Sequence, residues 1–240
     1  MLGLAITGAV FAGAVAAAYQ TMAPQGRWFG RAFSGLPSGS KQLALTFDDG
    51  PNDPDSLRLL DVLARHNVPA TFFMIGRYVR RAPNIALEIA QRGHVIGNHT
   101  FTHPLLTIQP EDRIRQEIED CRLAIADAVG EHSRLFRPPW GSRRPGTLGL
   151  IRQLGLETVL WNVTGYDWNA PSPEYIEQKI SSKIRGGNVV LLHDGGHLAF
   201  GTSRSKTVEA VSRLVQRYQS EGYEFVTIPE MMCSAGLAAE

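Results

Sequence analysis

Residues 42–51 read Gln42-Leu43-Ala44-Leu45-Thr46-Phe47-Asp48-Asp49-Gly50-Pro51. A short apolar run that ends in two acids and a Gly-Pro break reads as a buried strand delivering carboxylates at its C-terminal end. Six further runs rich in Val, Ile, Leu and Phe follow, over 70–75, 94–97, 134–136, 158–163, 189–193 and 224–228. Between them lie helical patterns over 54–66, 84–92, 110–129, 145–154, 173–184 and 205–221, several with proline near the start, where its missing N–H costs nothing. Such alternation implies parallel strands joined by crossover helices, in an open sheet or a barrel. The polar residues choose between the two. Asp48, His99, Arg137, Asp167 and His193 each fall at or just past the C-terminal end of a different predicted strand. A barrel gathers all strand ends around one mouth, whereas an open sheet gathers only those at its switch point. The expected fold is an α/β, distorted seven-stranded (β/α) barrel.

The 240 residues suffice for one sizeable core, and nothing in the middle of the chain reads as a flexible linker. Residues 1–19 carry no charged side chain and are almost wholly apolar, which predicts a membrane anchor or signal segment. The stretch 20–40, with its glycines and prolines, is expected to be a linker, leaving 41–240 as the catalytic domain. A formal net charge of +1 gives no electrostatic footprint for nucleic acid. Of two cysteines, Cys121 lies on a helical apolar stripe and is expected as a buried thiol; neither it nor Cys233 has the spacing of a zinc ligand.

Downstream of the two acids stands Asn98-His99-Thr100-Phe101-Thr102-His103-Pro104. Two histidines four apart share an ion on a helical turn, where Cβ atoms are about 5–6 Å apart, and not on a strand, where they are roughly 13 Å apart. The spacing therefore predicts a helical turn over 99–103. One aspartate and two imidazoles leave coordination positions open for water and substrate, as catalytic zinc sites do. Taken alone, Asp48 and Asp49 also suit an ordinary solvated turn.

Five blocks then occur in the order found in one family: Thr46 to Pro51, His99 to Pro104, Arg137-Pro138-Pro139-Trp140-Gly141, Asp167-Trp168, and Leu191-Leu192-His193-Asp194. In these the chain resembles the polysaccharide deacetylases, which include chitin and peptidoglycan N-deacetylases and some xylan acetyl esterases. The resemblance implies that Asp49, His99 and His103 bind a divalent metal, Zn²⁺ in the first place with Co²⁺, Mn²⁺ or Ni²⁺ as alternatives. It makes Asp48 the general base on the attacking water and pairs Arg137 with it. It makes His193 the general acid, supported by Asp167. The backbone N–H of Trp140 would serve the oxyanion, while Leu191 and Trp168 would line the acetyl pocket. Thr164 replaces an aspartate common in the fourth block, and Trp140 a common tyrosine. His66, His94, His132 and His197 are assigned no role.

The expected activity is metal-dependent removal of N-acetyl groups from amino-sugar polymers or oligomers of the peptidoglycan or chitin type. O-deacetylation of a polysaccharide such as xylan is the alternative within the same chemistry, and a non-catalytic carbohydrate-binding protein the alternative outside it. The expected partners are an acetylated polysaccharide or oligosaccharide and, through 1–19, a membrane, with the catalytic domain outside the cytoplasm.

Overall fold

A computed structural model of the chain describes residues 13 and 15–237. Most of the predicted anchor, 1–19, thus lies outside the described residues. Among the described residues no helix is long and apolar enough to cross a membrane.

The chain runs β1 (Gln42–Gly50), α1 (Asp55–Arg65), β2 (Thr71–Met74), α2 (Gly76–Arg81), α3 (Pro83–Gln91), β3 (Val95–Asn98), α4 (Glu111–Val129), β4 (Leu135–Phe136), α5 (Thr147–Gln153), β5 (Glu157–Thr158), β6 (Val163–Thr164), α6 (Pro173–Ser181), β7 (Asn188–His193), α7 (Ser205–Ser220), β8 (Glu224–Phe225) and α8 (Ile228–Ser234). All paired strands are parallel, in the order β5-β4-β3-β2-β1-β7-β6, with β8 beside the start of β1. Seven strands therefore curl into the expected barrel-like path, with one short addition.

The central strand β1 is buried on both faces, as parallel strands under crossover helices must be. Its odd residues Leu43, Leu45 and Phe47 pack with Leu59, Leu60 and Leu63 of α1 and Val211, Leu214 and Val215 of α7. Ala44 points the other way, into an inner cluster with Phe73, Val159, Val189, Ile228 and Met231. Period-two alternation then carries Thr46 and Asp48 to the inner face as well. Deleting any of the fully buried leucines would cost about 2–5 kcal/mol.

The run 158–163, expected as one strand, is two strands at opposite ends of the sheet. Two carbonyls of its middle are taken up by a buried cation instead of a neighbouring strand: Arg137 Nε donates to Val159 O and Nη2 to Leu160 O, both at 3.3 Å. The seam between β5 and β6 is spanned by the stretch expected as a linker. Phe33 N–H donates to Thr158 O at 2.9 Å, Leu160 N–H to Phe33 O at 2.7 Å, and Leu36 N–H to Gly187 O at 2.8 Å. The run 224–228 is also shorter than expected, because Thr227 leaves the sheet to cap α8 in a reciprocal pair with Glu230. Cys121 is buried and free, and burial pushes its thiol up to about 12.

Candidate active site

Adjacent strand residues point to opposite faces, so Asp48 and Asp49 should not share a site. A bulge resolves this. The β1–β2 register slips between Asp48 and Gly50, and Asp49 sits in the left-handed region at φ 72°. The extra residue turns its carboxylate to the same mouth as Asp48. Asp49 Oδ1 lies 3.6 Å from His99 Nε2 and 3.3 Å from His103 Nε2, and Asp48 Oδ2 lies 3.7 Å from His99 Nε2.

The segment 99–103 is not the helical turn expected. It is an irregular loop in which Thr100 and His103 both have positive φ. Side chains rather than helical hydrogen bonds satisfy its backbone. Asn98 Oδ1 accepts from Thr100 N–H, and Thr100 Oγ1 from His103 N–H. The buried Glu117 of α4 accepts from Phe101 N–H at 2.9 Å and from Thr102 N–H at 2.7 Å. The outcome is the same closeness by another route, with the imidazole centroids 4.9 Å apart.

These residues fit a divalent cation. The three donor atoms of Asp49, His99 and His103 lie within 4.8 Å of one another, and all three residues are buried. Asp49 Oδ1 is buried without a hydrogen-bond partner among the described residues, aimed at the two Nε2 atoms. His99 Nδ1 contacts Arg137 O at 2.7 Å, so that nitrogen carries the proton and Nε2 keeps its lone pair for a metal. Burial holds His103 neutral, down to about 2. Burial alone would raise the Asp49 carboxyl, but contact with His197 and the surrounding histidines outweighs it and keeps Asp49 ionised.

Arg137, fully buried, donates to Asp48 Oδ1 at 2.7 Å and to Thr46 Oγ1 at 2.8 Å, and its guanidinium stacks over Phe73. That leaves Asp48 Oδ2 facing the mouth. His193 ends β7 next to Asp48. Its backbone N–H donates to Asp167 Oδ2 and its Nδ1 meets Asp167 Oδ1, both at 2.8 Å, while Thr207 also donates to Asp167. Burial alone would lower His193, but the Asp167 charge and hydrogen bond prevail and raise it to about 9. Thr164, in the place of the family's aspartate, accepts from Tyr166 N–H.

Asp48, Asp49, His99, His103 and His193 open into a cleft of about 620 Å³, lined also by Trp140, Trp161, Trp168, Leu191 and Met22. Trp140 has φ 53° and its ring stands edge-on to His103 at 4.3 Å. Trp168 stands edge-on to His193 at 5.4 Å.

His197, assigned no role from the sequence, belongs to this site. Its N–H donates to Asp49 Oδ2 at 3.2 Å, and its ring stacks on His103 with centroids 4.6 Å apart. The loop carrying it is held by Tyr78 Oη and Arg77 Nη2, both donating to His197 O, and by Arg204 Nε donating to Gly195 O at 2.6 Å. Asp194 is buried against Ser56, and burial pushes its carboxyl up to about 7. The one available signal for His197 was its place four residues after His193, behind the Gly195-Gly196 pair.

The sequence model described as polysaccharide deacetylase matches residues 36–159. The chain is 35% identical over 199 residues to a peptidoglycan-N-acetylglucosamine deacetylase of Bacillus cereus, covering 82% of this chain and 91% of that protein. It is 37% identical over 201 residues to a chitooligosaccharide deacetylase of a Bradyrhizobium species, covering 81% and 92% respectively. A crystallised peptidoglycan N-acetylglucosamine deacetylase superposes with a TM-score of 0.77 at 36% identity, over 83% of this chain and 91% of that one.

Proposed function

The chain belongs to the polysaccharide deacetylase family, and from that premise we propose that it removes N-acetyl groups from amino-sugar polymers or oligomers of the peptidoglycan or chitin type, with the help of a divalent metal. The observation that carries the reading is the convergence of Asp48, Asp49, His99, His103 and His193 on one cleft. Both 35–37% identical relatives named above act, by their names, on N-acetylated glycans.

Asp49, His99 and His103 would hold the metal, which would supply Lewis acidity toward the scissile carbonyl and the attacking water. Asp48 takes the proton of the attacking water through Oδ2, while Arg137 occupies Oδ1 and keeps the carboxylate aimed. The Trp140 N–H donates to the carbonyl oxygen as it gains charge. His193 has Nδ1 engaged by Asp167, so Nε2 is the nitrogen that protonates the leaving amine. Leu191 and Trp168 line the space for the acetyl methyl. The chain acts outside the cytoplasm, carried there by residues 1–19.

The test is acetate release by the full chain, with Zn²⁺ or with chelator, from N-acetylglucosamine oligomers and from acetylated xylan in parallel. Metal-dependent release from the oligomers supports the proposal. Release from xylan alone replaces it with an esterase, and release from neither replaces it with a glycan-binding protein.

A further inference from the structure

Arg143 is an arginine buried without a carboxylate. It is 1% exposed, and its guanidinium is taken up by three main-chain carbonyls: Nη1 donates to Gly141 O at 2.8 Å, and Nη2 to Ala23 O at 2.6 Å and Gly26 O at 2.8 Å. Its own N–H donates to Thr21 O at 3.0 Å. Burying a cation among dipoles alone is a poor way to gain stability, since desolvation costs several kcal/mol per ion. What the arrangement achieves is position. One side chain ties residues 21–26 to the Trp140-Gly141 turn, more than a hundred residues away in the chain.

The tie reaches the cleft from two directions. Trp140 and Gly141 are consecutive left-handed residues, at φ 53° and 66°, a conformation that costs a non-glycine residue free energy unless its surroundings enforce it. The strap lies directly on that turn: a Cβ at Gly141 would meet Met22 O at 3.3 Å and the Trp161 ring at 3.2 Å. Met22 is itself part of the cleft wall, with Trp140, Trp161 and His103. Gly26 is packed so closely that a Cβ there would stand 2.7 Å from Gln20 O and 2.9 Å from Arg143 Nη2.

We propose that residues 21–26 are a fixed strap that sets Met22 in the wall of the catalytic cleft, and that Arg143 is a positioning residue that holds this strap and the Trp140 main chain in register. The proposal rests on the deacetylase reading for the role of the Trp140 N–H. Met22 gives the glycan an apolar contact beside Trp140, and Arg143 sets the direction of the amide that meets the oxyanion. A segment that the sequence presents as a tether is thereby part of the active site.

The test uses full-length Gly26→Ala, Arg143→Met and Met22→Ala chains. Three quantities are measured: kcat and KM on N-acetylglucosamine oligomers, hydrogen exchange of amides 140–142, and bound zinc. Gly26→Ala and Arg143→Met are expected to lower kcat about tenfold or more and to speed exchange at 140–142 to a similar degree, with zinc stoichiometry retained. Met22→Ala is expected to raise KM with kcat nearly unchanged, a split that general destabilisation would not produce. Wild-type kcat and exchange in Gly26→Ala would overturn the proposal, and that variant decides alone if Arg143→Met does not fold. If the wild-type chain releases no acetate, the deacetylase reading fails, while the exchange rates still decide whether Arg143 holds the turn.

Discussion

Asp48 and His193 are register partners on the adjacent parallel strands β1 and β7. The proposed base and acid therefore stand side by side at neighbouring strand ends, each with one atom already engaged by a buried partner: Arg137 for Asp48 and Asp167 for His193. The sheet sets their separation, and the partners set their direction.

Asp48→Asn and His103→Ala separate catalysis from metal binding. Asp48→Asn is expected to lower kcat by about 10²–10⁴-fold with zinc content unchanged, because it removes a base and no ligand. His103→Ala is expected to lose metal and activity together. Metal analysis of both purified variants checks this, and loss of zinc from Asp48→Asn would reverse the two aspartate assignments.

The His193–Asp167 pair makes activity and stability depend on alkaline pH. His193 is raised from 6.5 to about 9, so its ion-pair contribution to stability is complete below 6.5 and is lost as the pH climbs through about 9. As the proton donor it should remain competent over the same range, less whatever a nearby divalent cation subtracts. Asp167→Asn removes the largest influence that raises the imidazole, leaving only the Asp49 and Asp48 charges to oppose burial. The alkaline limb of kcat/KM should then move to lower pH, and a pH profile with an unmoved limb would exclude His193 as the acid.

His197→Ala should weaken zinc binding without removing it. The ring packs on the proposed ligand His103 and lies 3.6 Å from Asp49 Oδ2, so its loss loosens the packing around both, while the backbone N–H at 197 still holds Asp49. Outer partners of metal ligands typically matter by about 10–100-fold in affinity, which chelator competition would resolve. Affinity equal to wild type would reduce His197 to a wall of the cleft.

Glu117→Ala tests how the 99–103 loop is held. It removes the acceptor of two backbone N–H groups and the Thr102 hydroxyl and strands Arg113, which pairs with Glu117 at 2.6 Å. Each buried donor left unsatisfied costs about 1–3 kcal/mol. A clear drop in melting temperature is expected together with weaker zinc binding, although Glu117 touches no metal ligand. Unchanged affinity at a lowered melting temperature would show the histidines to be placed by the strand end alone.

Much of the barrel was legible because period-two and helical patterns are local: the runs beginning at 42, 70, 94 and 189 became strands, and the long helices lie within a few residues of their patterns. The chemistry-bearing residues were legible from their types and from block order. The shape of 99–103 was not, since spacing four suggested a helix while Asn98, Thr100 and the distant Glu117 supplied hydrogen bonds that a loop could use instead. The split of 158–163 was equally hidden, because its cause, Arg137, lies more than twenty residues upstream.

By itself the sequence determined which side chains end each strand, and so the inventory of carboxylates, imidazoles and tryptophans at the mouth. Tertiary structure alone decided that Asp49 turns beside Asp48 through a bulge, that His197 closes over His103, and that Met22 joins the cleft wall. Local pattern encodes a residue's own backbone and burial. A bulge, a stacked ring and a shared guanidinium depend on hydrogen bonds between segments that only folding brings together.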